Sequence, residues 1–142
     1  MCSKSLKVVE RCWLVHMFVE NILDHYRNPK NFGKIPDAQI KNREYNPLCG
    51  DDYEFHLKLQ ENIVIDVKFS GDGCAISKAS ASLLSEHIKK KSLEEIKQMR
   101  LADIMKLLGA EISTARIKCA LLPLIAVQKG IQNFEKGERG GA

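Results

Sequence analysis

From Tyr53 the chain alternates strictly. Tyr53, Phe55, Leu57 and Leu59 fall on one side, and Glu54, His56 and Lys58 on the other. Residues 63–69 repeat the pattern, with Ile63, Ile65, Val67 and Phe69 sharing a face. Two period-2 runs joined by Glu61-Asn62 predict an antiparallel hairpin with one buried face. A short strand is expected near residues 37–45. Residues 6–26 carry a looser helical pattern, with Leu6, Val9, Trp13, Leu23 and Tyr26 inward, and Asn28-Pro29 stops it. After Gly71-Asp72-Gly73 the period becomes helical through Ile76, Ala79, Leu83 and either His87 or Ile88. Ser92 and Glu95 form a capping box for a further helix carrying Ile96, Met99, Ile104 and Leu107, closed by Gly109. A last helix begins near residues 114–120 and fades before Gly137. Proline is cheap only in a first turn, so Pro123 places the start of the main last helix close to Cys119; a longer, kinked helix is the alternative.

The 142 residues fit one domain, large enough to fold without cross-links. Residues 1–16 read as an extension or misassigned start, 17–136 as the domain, and 137–142 as a flexible tail. No apolar run approaches the roughly 18 residues of a membrane span. Lys7, Glu10, Arg11 and His16 interrupt the apolar N-terminus, which makes a poor secretory signal. A cytoplasmic location and no membrane partner are therefore expected. The net charge is +4, but the basic residues are dispersed apart from Lys89-Lys90-Lys91, and no nucleic-acid motif accompanies them. Nucleic acid is not an expected partner, whereas a basic balance suits docking on an acidic protein.

Five cysteines without a signal peptide point to metal binding or catalysis in a reducing compartment. No pair has C-x-x-C spacing, which excludes zinc-finger and thioredoxin-type readings. Cys49 lies in a turn feeding the first strong strand. Cys74 follows two glycines at a strand-to-helix junction, and Cys119 lies near the start of the last helix. Free N–H groups at helix starts favour thiolate over thiol, so Cys74 and Cys119 are prepared to ligate or attack; the bland alternative is three small buried hydrophobes. In extended chain Asp51 points the same way as Cys49 and could join it at a metal. It could instead cap its own turn, and Asp52 competes for either role. Three thiolates and one carboxylate around Zn²⁺, or around an oxidised [2Fe–2S] core, carry about −2 formal charge. Carboxylate is the poorer partner for iron–sulfur chemistry, so such a site suits a carrier that releases its cargo.

Four segments in order carry a family resemblance: Ile22-Leu23-Asp24-His25-Tyr26-Arg27-Asn28-Pro29-Lys30-Asn31, Asn46-Pro47-Leu48-Cys49-Gly50-Asp51, Gly71-Asp72-Gly73-Cys74-Ala75-Ile76-Ser77, and Arg116-Ile117-Lys118-Cys119-Ala120. Across about residues 17–135 the chain resembles the IscU, SufU and NifU N-terminal-domain family of iron–sulfur assembly scaffolds. The resemblance implies an α+β fold, a small antiparallel sheet with helices packed on one face. It implies that Cys49, Asp51, Cys74 and Cys119 converge to hold a labile [2Fe–2S] cluster or zinc. It also implies a cysteine desulfurase as sulfur source, an iron donor, and acceptor apo-proteins, with Cys119 as the sulfur acceptor. Lys118 stands where IscU members have histidine, as in the SufU branch of zinc-dependent sulfurtransferases. The interval between Cys74 and Cys119 is nevertheless short, as in IscU. The segment Ile112-Ser113-Thr114-Ala115-Arg116 replaces the Leu-Pro-Pro-Val-Lys of IscU, so a specialised Hsp70 is not expected. Cys2 and Cys12 are expected to have no role. His16, His56 and His87 are expected at the surface or its boundary, and His25 in a structural role.

Overall fold

In the computed structural model, which describes residues 20–47, 50–109 and 112–139, three antiparallel strands pair in chain order: β1 (Ile40–Asn46), β2 (Asp51–Gln60) and β3 (Ile63–Asp72). The tight turn at Glu61 and Asn62 has positive φ at both residues (54° and 64°). That geometry matches the twist of a two-residue hairpin. Tyr53, Phe55, Leu57 and Leu59 are buried as the alternation predicts, and Phe55 stacks on its cross-strand partner Phe69 with centroids 5.5 Å apart.

On β3 the expected face is only half right. Val67 and Phe69 are buried, but Ile63 and Ile65 are 42% and 44% exposed while Val64 is fully buried. The register slips between Lys58 and Leu59: Leu59 faces Val64, Lys58 faces Asp66, and Ile65 has no partner. One extra residue in the strand, a β-bulge, inverts the alternation on its far side.

The helices are α1 (residues 20–27), α2 (Ala75–His87), α3 (Leu93–Lys97), α4 (Leu101–Leu108) and α5 (Ile117–Arg139), with a 3₁₀ turn at Thr114–Arg116. The architecture is α+β: α5 packs across β1 and β2, and α2 against β3 and α5. Gly130 permits the close approach of α5, since a Cβ there would lie 2.9 Å from Ile40 Cγ2. Helix α2 is buried on most sides by small residues, including Ser77, Ala79, Ser80, Ala81 and Ser82. Ile88, rather than His87, is its buried C-terminal residue.

Other expectations are corrected. In α1 the buried residues are Ile22 and His25, while Tyr26 is 37% exposed. His25 Nδ1 lies 2.6 Å from Ser82 Oγ, tying α1 to α2; Leu6, Val9, Trp13 and His16 lie outside the described residues. His56 is buried, not at the boundary, because the loop before β1 covers it: Ile35 N–H donates to its Nδ1 at 2.9 Å, and Glu54 Oε1 lies 2.9 Å from Nε2. The single helix expected after Ser92 is two. The Ser92–Glu95 capping box starts α3, but Asp103 Oδ2 accepts from Arg100 N–H at 2.8 Å and starts α4 afresh. Gln128 of α5 donates to the carbonyls of Ile96 (3.1 Å) and Met99 (2.9 Å) where α3 ends. Gly109, with φ 70°, closes α4 as expected. Pro123 lies inside α5, which starts at Ile117 and runs to Arg139, past Gly137. The start two residues before Cys119 is close to where it was expected, but Pro123 falls beyond the first turn, so the carbonyl of residue 119 receives no helical N–H from position 123.

Both ends of β3's outer edge are occupied. Gly33 N–H donates to Phe69 O and Phe69 N–H to Asn31 O, at 2.8 and 3.0 Å. Val64 N–H donates to Lys91 O and Lys90 N–H to Val64 O, at 2.9 and 2.7 Å.

Candidate metal centre

Three chain segments meet at one end of the sheet. Asp51 opens β2 opposite Asn46, after a turn in which Gly50 (φ 72°) donates its N–H to Asn46 O at 2.8 Å. Cys74 is the N-cap of α2, with extended backbone (φ −71°, ψ 168°) and its sulfur accepting from Ser77 N–H at 3.4 Å. Cys119 sits in the first turn of α5 and is fully buried. One ligand atom from each of Asp51, Cys74 and Cys119 lies within 4.8 Å of the others. Among the described residues this is the one such group found, and Cys49, like Cys2 and Cys12, lies outside them.

Strand pairing separates the two aspartates. Asp52 faces outward and is gripped by Arg43, whose Nε donates to Oδ1 at 2.8 Å. Asp51 faces inward with no exposed surface. Its Oδ1 accepts from Cys74 N–H at 2.9 Å, while Oδ2 has no hydrogen-bond partner among the described residues. An ionisable oxygen left buried and unpaired is costly. A cation shared with two thiolates would supply what it lacks. The donor set of soft sulfur and one hard oxygen therefore fits a metal that prefers thiolate and tolerates carboxylate. Gly73 makes room for this meeting: a Cβ there would lie 2.4 Å from Asp51 Oδ1, 2.6 Å from Ser77 Oγ and 2.7 Å from the Tyr53 hydroxyl.

Two neighbours bear on the site beyond what the motifs disclose. The Arg116 guanidinium is held above its ordinary range, first by the charge of Cys74, then by hydrogen bonding to Cys119 and the charges around it. Lys118 and Arg116 are both exposed, and Arg116 is the cation interacting with both thiols. Its position three residues before Cys119, on the same helical side, was the available signal. Tyr53, two residues past Asp51 on the same strand face, places its hydroxyl 2.9 Å from Ser77 Oγ. Burial, ahead of the nearby acidic groups, pushes its phenol far above the usual tyrosine range.

Known proteins share this chain's sequence pattern and fold. The family model described as NifU-like N terminal domain matches residues 17–139. The chain is 38% identical over 138 residues to the zinc-dependent sulfurtransferase SufU of Bacillus subtilis, covering 85% of this chain and 93% of that protein. It is 32% identical over 122 residues to the iron–sulfur cluster assembly scaffold protein IscU of Escherichia coli, covering 83% and 94%. A solved structure described as a scaffold protein for the SUF system of Fervidobacterium islandicum superposes with a TM-score of 0.69 at 30% identity, covering 82% and 98%. No described helix is long and apolar enough to cross a membrane.

Proposed function

The chain belongs to the family of NifU-like N-terminal domains, and from that footing we propose that it is an iron–sulfur cluster assembly scaffold. In this reading it accepts sulfur from a cysteine desulfurase, assembles a labile cluster and passes it to apo-proteins. The observation that carries the proposal is Asp51: a fully buried carboxylate with one oxygen that has no partner among the described residues, beside two cysteine sulfurs. Cys49, two residues before Asp51, is the proposed fourth ligand. Cys119 is the proposed sulfur acceptor: it sits in the first turn of α5, beside the Arg116 guanidinium. The cargo is a substrate of this site and not a permanent fixture. A carboxylate among thiolates gives a weaker hold on an iron–sulfur core than four cysteines would.

One observation favours a second reading, zinc-dependent sulfur transfer: the 38% identity to SufU extends over most of both chains. A resident zinc ion on the same four side chains would keep their thiols deprotonated.

Anaerobic desulfurase-driven reconstitution separates the two. Under the scaffold reading the wild-type protein develops a sulfide-dependent visible chromophore and transfers it rapidly to an apo-ferredoxin, while Asp51→Ala holds it longer. If no chromophore forms, and a zinc-loaded preparation stimulates the desulfurase where a zinc-free one does not, the scaffold reading fails and sulfur transfer takes its place.

A further inference from the structure

Tyr53 is buried among apolar groups, with its ring edge-on to Phe69 at 6.1 Å between centroids. Phenylalanine would satisfy that packing equally. The hydroxyl adds a desolvation penalty unless it is bonded, and the partner it has is Ser77 Oγ at 2.9 Å. Either hydroxyl can donate in this contact, and each fixes the other's position. The Ser77 hydroxyl donates to the Cys74 carbonyl at 3.0 Å and accepts from the Cys74 thiol at 3.6 Å. The backbone N–H of Ser77 also donates to Cys74 Sγ at 3.4 Å. These contacts link β2, through the first turn of α2, to a candidate ligand.

We propose that Tyr53 and Ser77 are positioning residues, which hold the Cys74 side chain in its ligating pose before metal arrives. The inference rests on the metal-centre reading above. Without the phenol, the Ser77 hydroxyl can turn away, Cys74 Sγ samples other rotamers, and a broken metal–sulfur contact re-forms less often. Groups that orient a metal ligand from behind typically change affinity by about 10- to 100-fold when removed.

The test loads purified wild type, Tyr53→Phe, Ser77→Ala and the double variant with Zn²⁺, and follows its extraction by a chelator. Parallel Co²⁺ samples report thiolate ligation through sulfur-to-cobalt charge-transfer absorption, and melting of the metal-free proteins monitors the fold. Tyr53→Phe is expected to release zinc about tenfold faster and to shift the charge-transfer band. The double variant should release no faster than Ser77→Ala alone, because the two groups act in series. Release by Tyr53→Phe within twofold of wild type, or effects of the two substitutions that multiply, overturns the inference while leaving the metal centre standing. A wild-type protein that shows no thiolate-to-cobalt absorption overturns both.

Discussion

Replacing Gly73 with alanine puts a methyl group where the site has no space. The added carbon would lie 2.4, 2.6 and 2.7 Å from Asp51 Oδ1, Ser77 Oγ and the Tyr53 hydroxyl. All three residues are essentially fully buried, so none can swing into solvent. Overpacking of this kind costs about 1–3 kcal/mol. Displacing Asp51 also breaks its bond from Cys74 N–H, and a hydrogen bond to a charged acceptor is worth about 1.5–3 kcal/mol. Alanine returns about 0.4–1 kcal/mol by restricting the unfolded chain. The expected net loss is roughly 2–5 kcal/mol, a large part of a small domain's total of about 5–15. Urea unfolding of the metal-free protein measures it. Gly137→Ala is the matched control: the same chemical change in α5, with nothing within 4 Å of the new carbon. If Gly73→Ala is as stable as Gly137→Ala, the close packing around Asp51 is refuted.

The β-bulge predicts opposite results at neighbouring positions. Ile65→Lys should change stability by less than about 0.5 kcal/mol, and Val64→Lys should lose roughly 4 kcal/mol or more as a buried unpaired charge; equal losses in denaturant titrations would mean the alternation runs straight through. Asp52 supplies a pH test. The hydrogen bond from Arg43, ahead of that residue's charge, holds its carboxyl below the ordinary 3.8. A lowered folded value means the contribution is complete above 3.8 and drains away as pH falls through the folded value. Arg43→Ala should therefore lower the urea midpoint modestly at pH 7 and by less at pH 2; the same shift at both would show that the pair does not titrate as described.

The hairpin was legible because period-2 patterning and a two-residue turn agree. The bulge was not, because Ile63, Val64 and Ile65 are all apolar, and only the register against Leu59 decides which one turns inward. The start of α3 could be read from Ser92 and Glu95. Its end could not, because the carbonyls there are taken by Gln128, distant in sequence. At the site, Cys74 and Cys119 announced themselves by glycines and helix starts. Asp51 and Asp52 are adjacent and chemically identical, and the choice between them is made by strand pairing with β1 and by Arg43. Tyr53 read as an ordinary core aromatic, since its hydroxyl matters only once α2 brings Ser77 beside it.

The covered edge of β3 has a consequence for how copies of this chain meet. With residues 31–33 and 90–93 bonded along that edge, the described residues leave only the outer edge of β1 for an added strand. Along it Lys41, Arg43 and Tyr45 are exposed in alternation. Charged side chains along an edge strand discourage edge-to-edge pairing and fibril-like growth. The sheet is thus closed to extension by chain on one side and by charge on the other.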